Sequence, residues 1–190
     1  MSVLVAIKEK DRVVVGVDTR ISAKGGTYID SYNLTPKAIH LDDKKTIIAG
    51  SVGTDGLVGF FAGIMKDYIK DAGRIDKDFL VEKVLPKLVA TVDKYHLDKD
   101  GSMDGEIFLA IKNKGYVINS NYWIHEMEHY YTMGSGEETS MVSLYSTSGF
   151  KISTEERIAK AVKAAASVNN GISKNCYIGD TAGTPFTEYK

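Results

Sequence analysis

Met1-Ser2-Val3-Leu4-Val5-Ala6-Ile7-Lys8 and Arg12-Val13-Val14-Val15-Gly16-Val17-Asp18 open the chain as two apolar runs around the polar break Glu9-Lys10-Asp11. Valine-rich runs joined by a short polar turn read as a β-hairpin. A hairpin brings its two outer ends together, so Asp18 is expected beside Ser2. Ser2 itself is a small hydroxyl residue at the head of the first strand. With Met1 removed, as small second residues generally permit, Ser2 carries both a free α-amine and a hydroxyl. An α-amine has an ordinary pKa of roughly 7.7–8.0, so near neutrality much of it can accept a proton. One residue would then hold a nucleophile and its own base. Many chains begin Met-Ser without any such role, so the reading depends on the residues downstream.

Working outward, residues 19–36 contain Gly25-Gly26, several hydroxyl side chains and Pro36, which predicts an irregular loop or loose hairpin. Lys37–Leu41 and Thr46–Ser51 flank the turn Asp42–Lys45 as a second hairpin. Helical spacing appears next in Leu57, Phe60, Phe61, Ile64, Met65 and Tyr68. It recurs in Val81, Val84, Leu85, Leu88, Val89 and Val92, with Pro86 expected to kink that helix. Strands are predicted over 105–112 and 115–120, and a strand or strand pair over Tyr122–Met133. Glu138–Ser146 reads as a short helix, and Ser153-x-x-Glu156 is a capping box for the next. A last strand covers about Asn175–Ile178, and the polar tail from about 180 to 190 is expected to be loose. The order fits an α+β, four-layer αββα sandwich: two antiparallel sheets face to face with helices outside. At 190 residues the chain is expected to be one domain.

Four further pieces line up with Ser2. Val17-Asp18-Thr19-Arg20 closes the first hairpin. In Pro36-Lys37-Ala38 a lysine begins an apolar strand. In Ile48-Ala49-Gly50-Ser51 a glycine ends the next, and Gly134-Ser135-Gly136 precedes a helix. Singly these suit an ion pair, a tight turn and a helix cap. Jointly, in this order and over residues 2–178, the sequence resembles the proteasome family of N-terminal nucleophile hydrolases, including proteasome β-subunits and the bacterial peptidase HslV.

The resemblance implies a role for each residue. Ser2 stands where the family has a threonine nucleophile, Asp18 and Lys37 match its acidic residue and catalytic lysine, and Gly50 matches its oxyanion-hole glycine. Ser135 matches the serine that supports the α-amine. The family's late D-x-x-S stretch is matched by Asn170-Gly171-Ile172-Ser173, with Asn170 in place of the carboxylate. An amide can orient an amine by hydrogen bonding but brings no negative charge. In the family, side chains around the lysine and the glycine strand shape the substrate pocket. The positions here are Thr35, Ile39, Ile48 and Val52, which predicts cleavage after apolar residues.

The resemblance further implies peptide hydrolysis with no cofactor and no metal, a homo-oligomeric ring or stacked rings, unfolded protein or peptide as substrate, and an ATP-dependent unfoldase as partner. Two other readings stay open: a catalytically silent ring subunit or scaffold, and an amidase acting on small molecules.

Composition sets the outer limits. Hydrophobic residues make up 43% and charged residues 26%, with a net charge of -1. That balance gives no reason to expect a nucleic-acid or membrane partner. No apolar run approaches the roughly 20 residues of a membrane span, and the start does not read as a secretory signal. The single cysteine, Cys176, fits a reducing cytoplasm. His125-Glu126-Met127-Glu128-His129 satisfies the H-E-x-x-H zinc pattern, which needs a helix to put both histidines on one face. Its aromatic and β-branched neighbours favour strand instead, and only His40 and His96 remain as further ligands. Gly50-Ser51-Val52-Gly53 lacks the lysine of a phosphate loop. The stretch 98–104 resembles a calcium loop but has Leu109 where the closing glutamate belongs.

Overall fold

A computed structural model describes residues 1–22, 28–34 and 36–189. The opening hairpin forms as β1 (Leu4–Lys8) and β2 (Val13–Asp18), in register from Leu4 opposite Val17 to Lys8 opposite Val13. β12 (Tyr130–Met133) flanks β1, while β13 (Cys176–Asp180) and then β14 (Thr187–Tyr189) extend from β2. The second sheet is ordered β11 (Ile124–Glu126), β10 (Lys114–Ile118), β9 (Gly105–Ile111), β6 (Ile47–Gly53) and β5 (Ala38–His40). Every pairing in both sheets is antiparallel. Two small hairpins complete the strands: β3 (Arg20–Ser22) with β4 (Tyr28–Asp30), and β7 (Asp98–Lys99) with β8 (Ser102–Met103).

The continuous valine runs have a physical reason, because both faces of the central strands are covered. Leu4, Ala6, Val13, Val15 and Val17 meet Ile48, Phe108, Ala110 and Val117 between the sheets. Val3, Val5, Ile7 and Val14 turn the other way, onto Leu144 of α4 (Glu137–Ser146) and Ile158, Ala161 and Val162 of α5 (Thr154–Val168). On the far side, α1 (Leu57–Met65), α2 (Lys77–Phe79) and α3 (Leu85–Tyr95) cover Ile47, Ala49, Ile107 and Leu109. The layers are therefore helix, sheet, sheet, helix. The capping box holds: the Glu156 amide donates to Ser153 Oγ at 3.1 Å.

Two expectations need correction. In place of a simple kink, a π-turn over Leu80–Val84 precedes Pro86. Proline cannot donate to the carbonyl four residues back and its ring crowds it, and a widened turn relieves both. The extra residue rotates the helix face, so Leu80 is buried while Val81 and Val89 are exposed. The tail, expected to be loose, folds back. Thr187–Tyr189 pairs with Cys176–Ile178, and the Phe186 ring lies against Gly179. No helix among the described residues is long and apolar enough to cross a membrane.

At the turn end of the first hairpin, Arg12 gathers three carboxylates. Its Nε donates to Glu9 at 2.6 Å, Nη1 to Asp180 at 2.6 Å and Nη2 to Glu155 at 3.0 Å. The Arg12 hydrogen bond holds the Glu9 carboxyl below its usual range. Burial pushes Asp180 up, but hydrogen bonds from Thr184 and Arg12 outweigh it and leave Asp180 lowered. Carboxyls lowered in the fold stabilise it above their ordinary pKa of about 4, and that stability is lost as pH falls through the folded values. Arg12→Ala is expected to cost about 2 kcal/mol at pH 7, discounted because the site is partly exposed. It should also flatten the stability loss between about pH 5 and pH 3, as read from denaturant midpoints at each pH.

Candidate functional site

Six segments meet at the other end of the sandwich: the start of β1, the end of β2, the start of β5, the end of β6, the turn after β12 and the loop after α5. Asp18 is the centre. It is fully buried, and its carboxylate accepts four hydrogen bonds. Oδ1 takes the Val3 amide at 2.9 Å and Lys37 Nζ at 2.6 Å. Oδ2 takes the Arg20 amide at 3.0 Å and the Ser173 amide at 3.2 Å. The hairpin register places it there, since the Asp18 amide also donates to the Val3 carbonyl at 3.3 Å. Lys37 is 8% exposed. Burial lowers its pKa from the ordinary lysine value, and Asp18 works against that shift by charge and hydrogen bond.

The turn Asp42–Lys45 fixes how Lys37 faces β6. Asp42 Oδ1 accepts the Thr46 and Ile47 amides, each at 2.8 Å, so the hairpin closes at a set length. The Ser51 amide then donates to the Lys37 carbonyl at 2.8 Å. Ser2, Lys37, Pro36, Asp55 and Val58 line one cleft with the neighbouring residues of Ser51–Gly56.

Ser135 reaches Ser2 from the turn after β12. The Ser2 amide donates to Ser135 Oγ at 3.2 Å, and that hydroxyl lies 3.4 Å from the Ser2 carbonyl oxygen, to which it can donate. Gly134 makes the approach possible. It has φ +92°, and a Cβ there would sit 2.5 Å from the Ser2 carbonyl oxygen. On its other side, Ser135 Oγ accepts from Asn169 Nδ2 at 3.3 Å. The family resemblance puts Asn170 in this position. In the structure the Asn170 side chain is not the one on Ser135, and its carbonyl oxygen accepts from Arg20 Nη1 at 2.7 Å. Asn169-Asn170 is a doublet, and only the geometry of the α5 end chooses between them. Ser173 contributes its amide to Asp18, while its hydroxyl accepts from the Asn175 amide at 3.1 Å.

Gly50 sits elsewhere than expected. It pairs with Ala38 on one side and Phe108 on the other, inside β6. The direction of a Cβ on Gly50 runs into Leu4 Cδ1 between the sheets. Because the Ser51 amide points to β5 and amides alternate along a strand, the Gly50 amide points to β9. The Thr54 amide also turns to the β9 side, onto the Asp104 carbonyl at 2.8 Å. The intervening Gly53 amide therefore faces the cleft side, beyond the start of β5. The three expected pocket residues among those described are not brought together. Val52 lines the cleft, Ile48 is buried between the sheets, Ile39 packs on the helix-side core, and Thr35 lies outside the described residues. Asp55, which no sequence motif marks, stands on the cleft wall.

The competing motifs do not form sites. His125 and Glu126 are in strand β11, so the two histidines do not share a helix face. Among the described residues no group of three or more His, Cys, Asp or Glu is arranged to hold a metal. Burial pushes the Cys176 thiol up to about 12, which removes it as a nucleophile near neutrality.

No family model and no curated protein matches the sequence. Solved structures do match in fold. The chain is similar to "Thiobacillus denitrificans BPH", with TM-score 0.73 and 15% identity over 94% of this chain and 96% of that one. It is similar to eukaryotic HslV from Trypanosoma brucei, with TM-score 0.68 and 11% identity over 94% and 98%. It is also similar to Anbu, titled an ancestral beta-subunit, from Yersinia bercovieri, with TM-score 0.68 and 10% identity over 98% and 86%. What the chain shares with these proteins is architecture: it has the αββα fold of the proteasome-like N-terminal nucleophile hydrolases.

Proposed function

We propose that this chain is a proteasome-like peptidase subunit in which Ser2, once the residue ahead of it is removed, attacks peptide bonds. The observation that carries the reading is the buried Asp18–Lys37 pair, 2.6 Å long, opening on the cleft that Ser2 lines. Ser2 Oγ attacks the substrate carbonyl and passes its proton to the freed α-amine. The Lys37 ammonium favours the developing alkoxide, and Asp18 holds that ammonium in place. The Gly53 amide, rather than that of Gly50, serves the oxyanion. The leaving amine takes the proton, and water then cleaves the Ser2 ester. Self-association into a closed ring, an ATP-dependent unfoldase feeding it and a reducing cytoplasmic setting complete the proposal by fold likeness and cysteine usage.

The alternative is a silent subunit: with Met1 retained, the Ser2 nitrogen would be an amide and no base. A peptide epoxyketone separates the two readings. The Ser2 hydroxyl adds to its ketone and the free α-amine opens its epoxide, so the adduct gains the whole reagent mass and loses nothing. A neighbouring structure, BPH from Thiobacillus denitrificans, is titled as a complex with epoxomicin, with TM-score 0.69 and 16% identity over 96% of this chain and 100% of that one. Expected are an intact mass lacking Met1, a full adduct on Ser2, and a multimeric particle by light scattering. Retained Met1 with no adduct would establish the silent subunit.

The cleft also revises the expected substrate. Pro36, Val52 and Val58 offer apolar contact, and Asp55 adds a carboxylate on the same wall. A cationic side chain bound along this wall would meet the Asp55 carboxylate beside apolar surface. Arg-ended peptides are expected to be cleaved about tenfold faster than Leu-ended ones, and Asp55→Asn should erase the difference. A Leu preference that Asp55→Asn leaves unchanged would return the pocket to the apolar reading.

A further inference from the structure

We infer that Tyr32 is a positioning residue for the Asp18–Lys37 pair, and that the C-terminal segment 185–189 is the brace that keeps Tyr32 in place. The inference rests on the proposed role of Lys37, and its main readout does not depend on turnover.

Asp18 ends β2 in one sheet, and Lys37 leads into β5 of the other, so their 2.6 Å contact depends on how the two sheets sit together. One side chain ties their neighbours. The Tyr32 hydroxyl donates to the carbonyl of Ala38, the residue after Lys37, at 2.6 Å. The Tyr32 ring lies flat on that of Tyr177, with centroids 4.3 Å apart and planes 2° from parallel. Tyr177 in turn pairs with Val17, the residue before Asp18. A stiff bar thus runs from the strand beside Asp18 to the residue beside Lys37. The Lys37 carbonyl accepts the Ser51 amide, so by alternation the Ala38 carbonyl points away from β6. Among the described residues β5 is the edge strand there, and Tyr32 supplies the donor that a further strand would give. Burial raises the Tyr32 hydroxyl above its ordinary pKa, so it stays a donor through the neutral range.

The chain's own tail closes the bar. The Phe186 ring centre lies 5.9 Å from that of Tyr32 and 5.2 Å from that of His40 in β5. Behind it is Gly179 of β13, where a Cβ would come within 3.0 Å of Phe186 Cγ. Phe186 is pinned from both directions along the chain. Before it, the Thr184 amide donates to Asp180 Oδ1 at 2.9 Å and the Thr184 hydroxyl to Oδ2 at 2.8 Å. After it, β14 pairs with β13, Glu188 lying opposite Tyr177. The tail therefore acts on the Asp18–Lys37 pair through Tyr32.

The test follows the Lys37 ammonium by 15N NMR, its signal assigned by its loss in Lys37→Arg. Proton exchange between a buried ammonium and water reports how firmly the pair is held closed. Tyr32→Phe keeps the stacked ring and removes only the hydroxyl, so exchange is expected to speed about tenfold while thermal melting shows the fold kept. Phe186→Ala should act in the same direction, and the double variant should add little to the larger single effect. Should Phe186→Ala not fold, the milder Phe186→Leu takes its place. Arg12→Ala, which weakens the opposite end of the sandwich, is the control for lost stability and should leave the exchange in place. Where peptides are cleaved, Tyr32→Phe should lower kcat about tenfold at unchanged KM. Unmoved exchange in folded Tyr32→Phe, or equal speeding in Arg12→Ala, would overturn the role of Tyr32. Fully additive effects in the double variant would overturn the role of the tail. A peptide-inert protein whose Lys37 exchange still speeds in Tyr32→Phe keeps this inference and removes the peptidase reading.

Discussion

Replacing Ser2 by Ala is expected to reduce peptide turnover by about a thousandfold or more, to background, with folding and assembly unchanged. The hydroxyl supplies the bond-forming electron pair in the proposed mechanism, and the other hydroxyls lining the cleft, Ser51 and Thr54, carry no α-amine of their own to act as base, Thr54 being tied to Asp104 at 2.8 Å. Lys37 is a buried ammonium tied to Asp18, and Cys176 is buried with a raised pKa. Stability should barely move, because the hydrogen bonds that tie Ser2 to Ser135 run through the Ser2 main chain. The check pairs initial rates on fluorogenic peptides with thermal melting and light scattering. Turnover equal to wild type in Ser2→Ala would end the proposed mechanism.

Lys37 comes second in expected effect. Lys37→Ala removes the cation on Asp18 and leaves a buried carboxylate with three amide donors, Val3, Arg20 and Ser173. Losing one partner of a buried ion pair costs up to about 3–5 kcal/mol, and the remaining amides should bring that nearer 2. Turnover should fall at least a hundredfold, beyond what reduced stability explains. Lys37→Arg separates charge from geometry. It keeps a cation, but the planar fork cannot sit as the compact ammonium does at 2.6 Å from Oδ1. A large loss of turnover at near-normal melting temperature would show that the position of the charge matters. Near-normal turnover in Lys37→Arg would reduce the residue to a structural pair.

Much of this site could be read from sequence where strand geometry carried it. Asp18 meets Val3 because a hairpin of that length must return there, and Lys37 meets Asp18 because two sheets stack at that end. The errors arise where one residue changes direction. In a strand, successive amides point to opposite edges, so the proposed move of the oxyanion donor from Gly50 to Gly53 rests on the pairing of Ser51 with Lys37. In the Asn169-Asn170 doublet, the last turn of α5 decides which side chain reaches Ser135. Pocket residues copied by position failed for the same reason: Ile39 and Ile48 fall on opposite faces of one sheet. Asp55 went unread because nothing in its local sequence says that the turn after β6 forms a wall beside Ser2.

The four donors on Asp18 come from four separate stretches of chain: the residue before β1, the segment after β2, the residue before β5 and the loop after α5. Their convergence acts as a coincidence detector. A chain with the hairpin formed but α5 undocked lacks the Ser173 donor, and one with the second sheet unpaired lacks Lys37. Neither presents a neutralised, fixed carboxylate beside Ser2. Under the proposed mechanism, nascent or damaged copies would be chemically mute, and reactivity would report that the whole sandwich has closed.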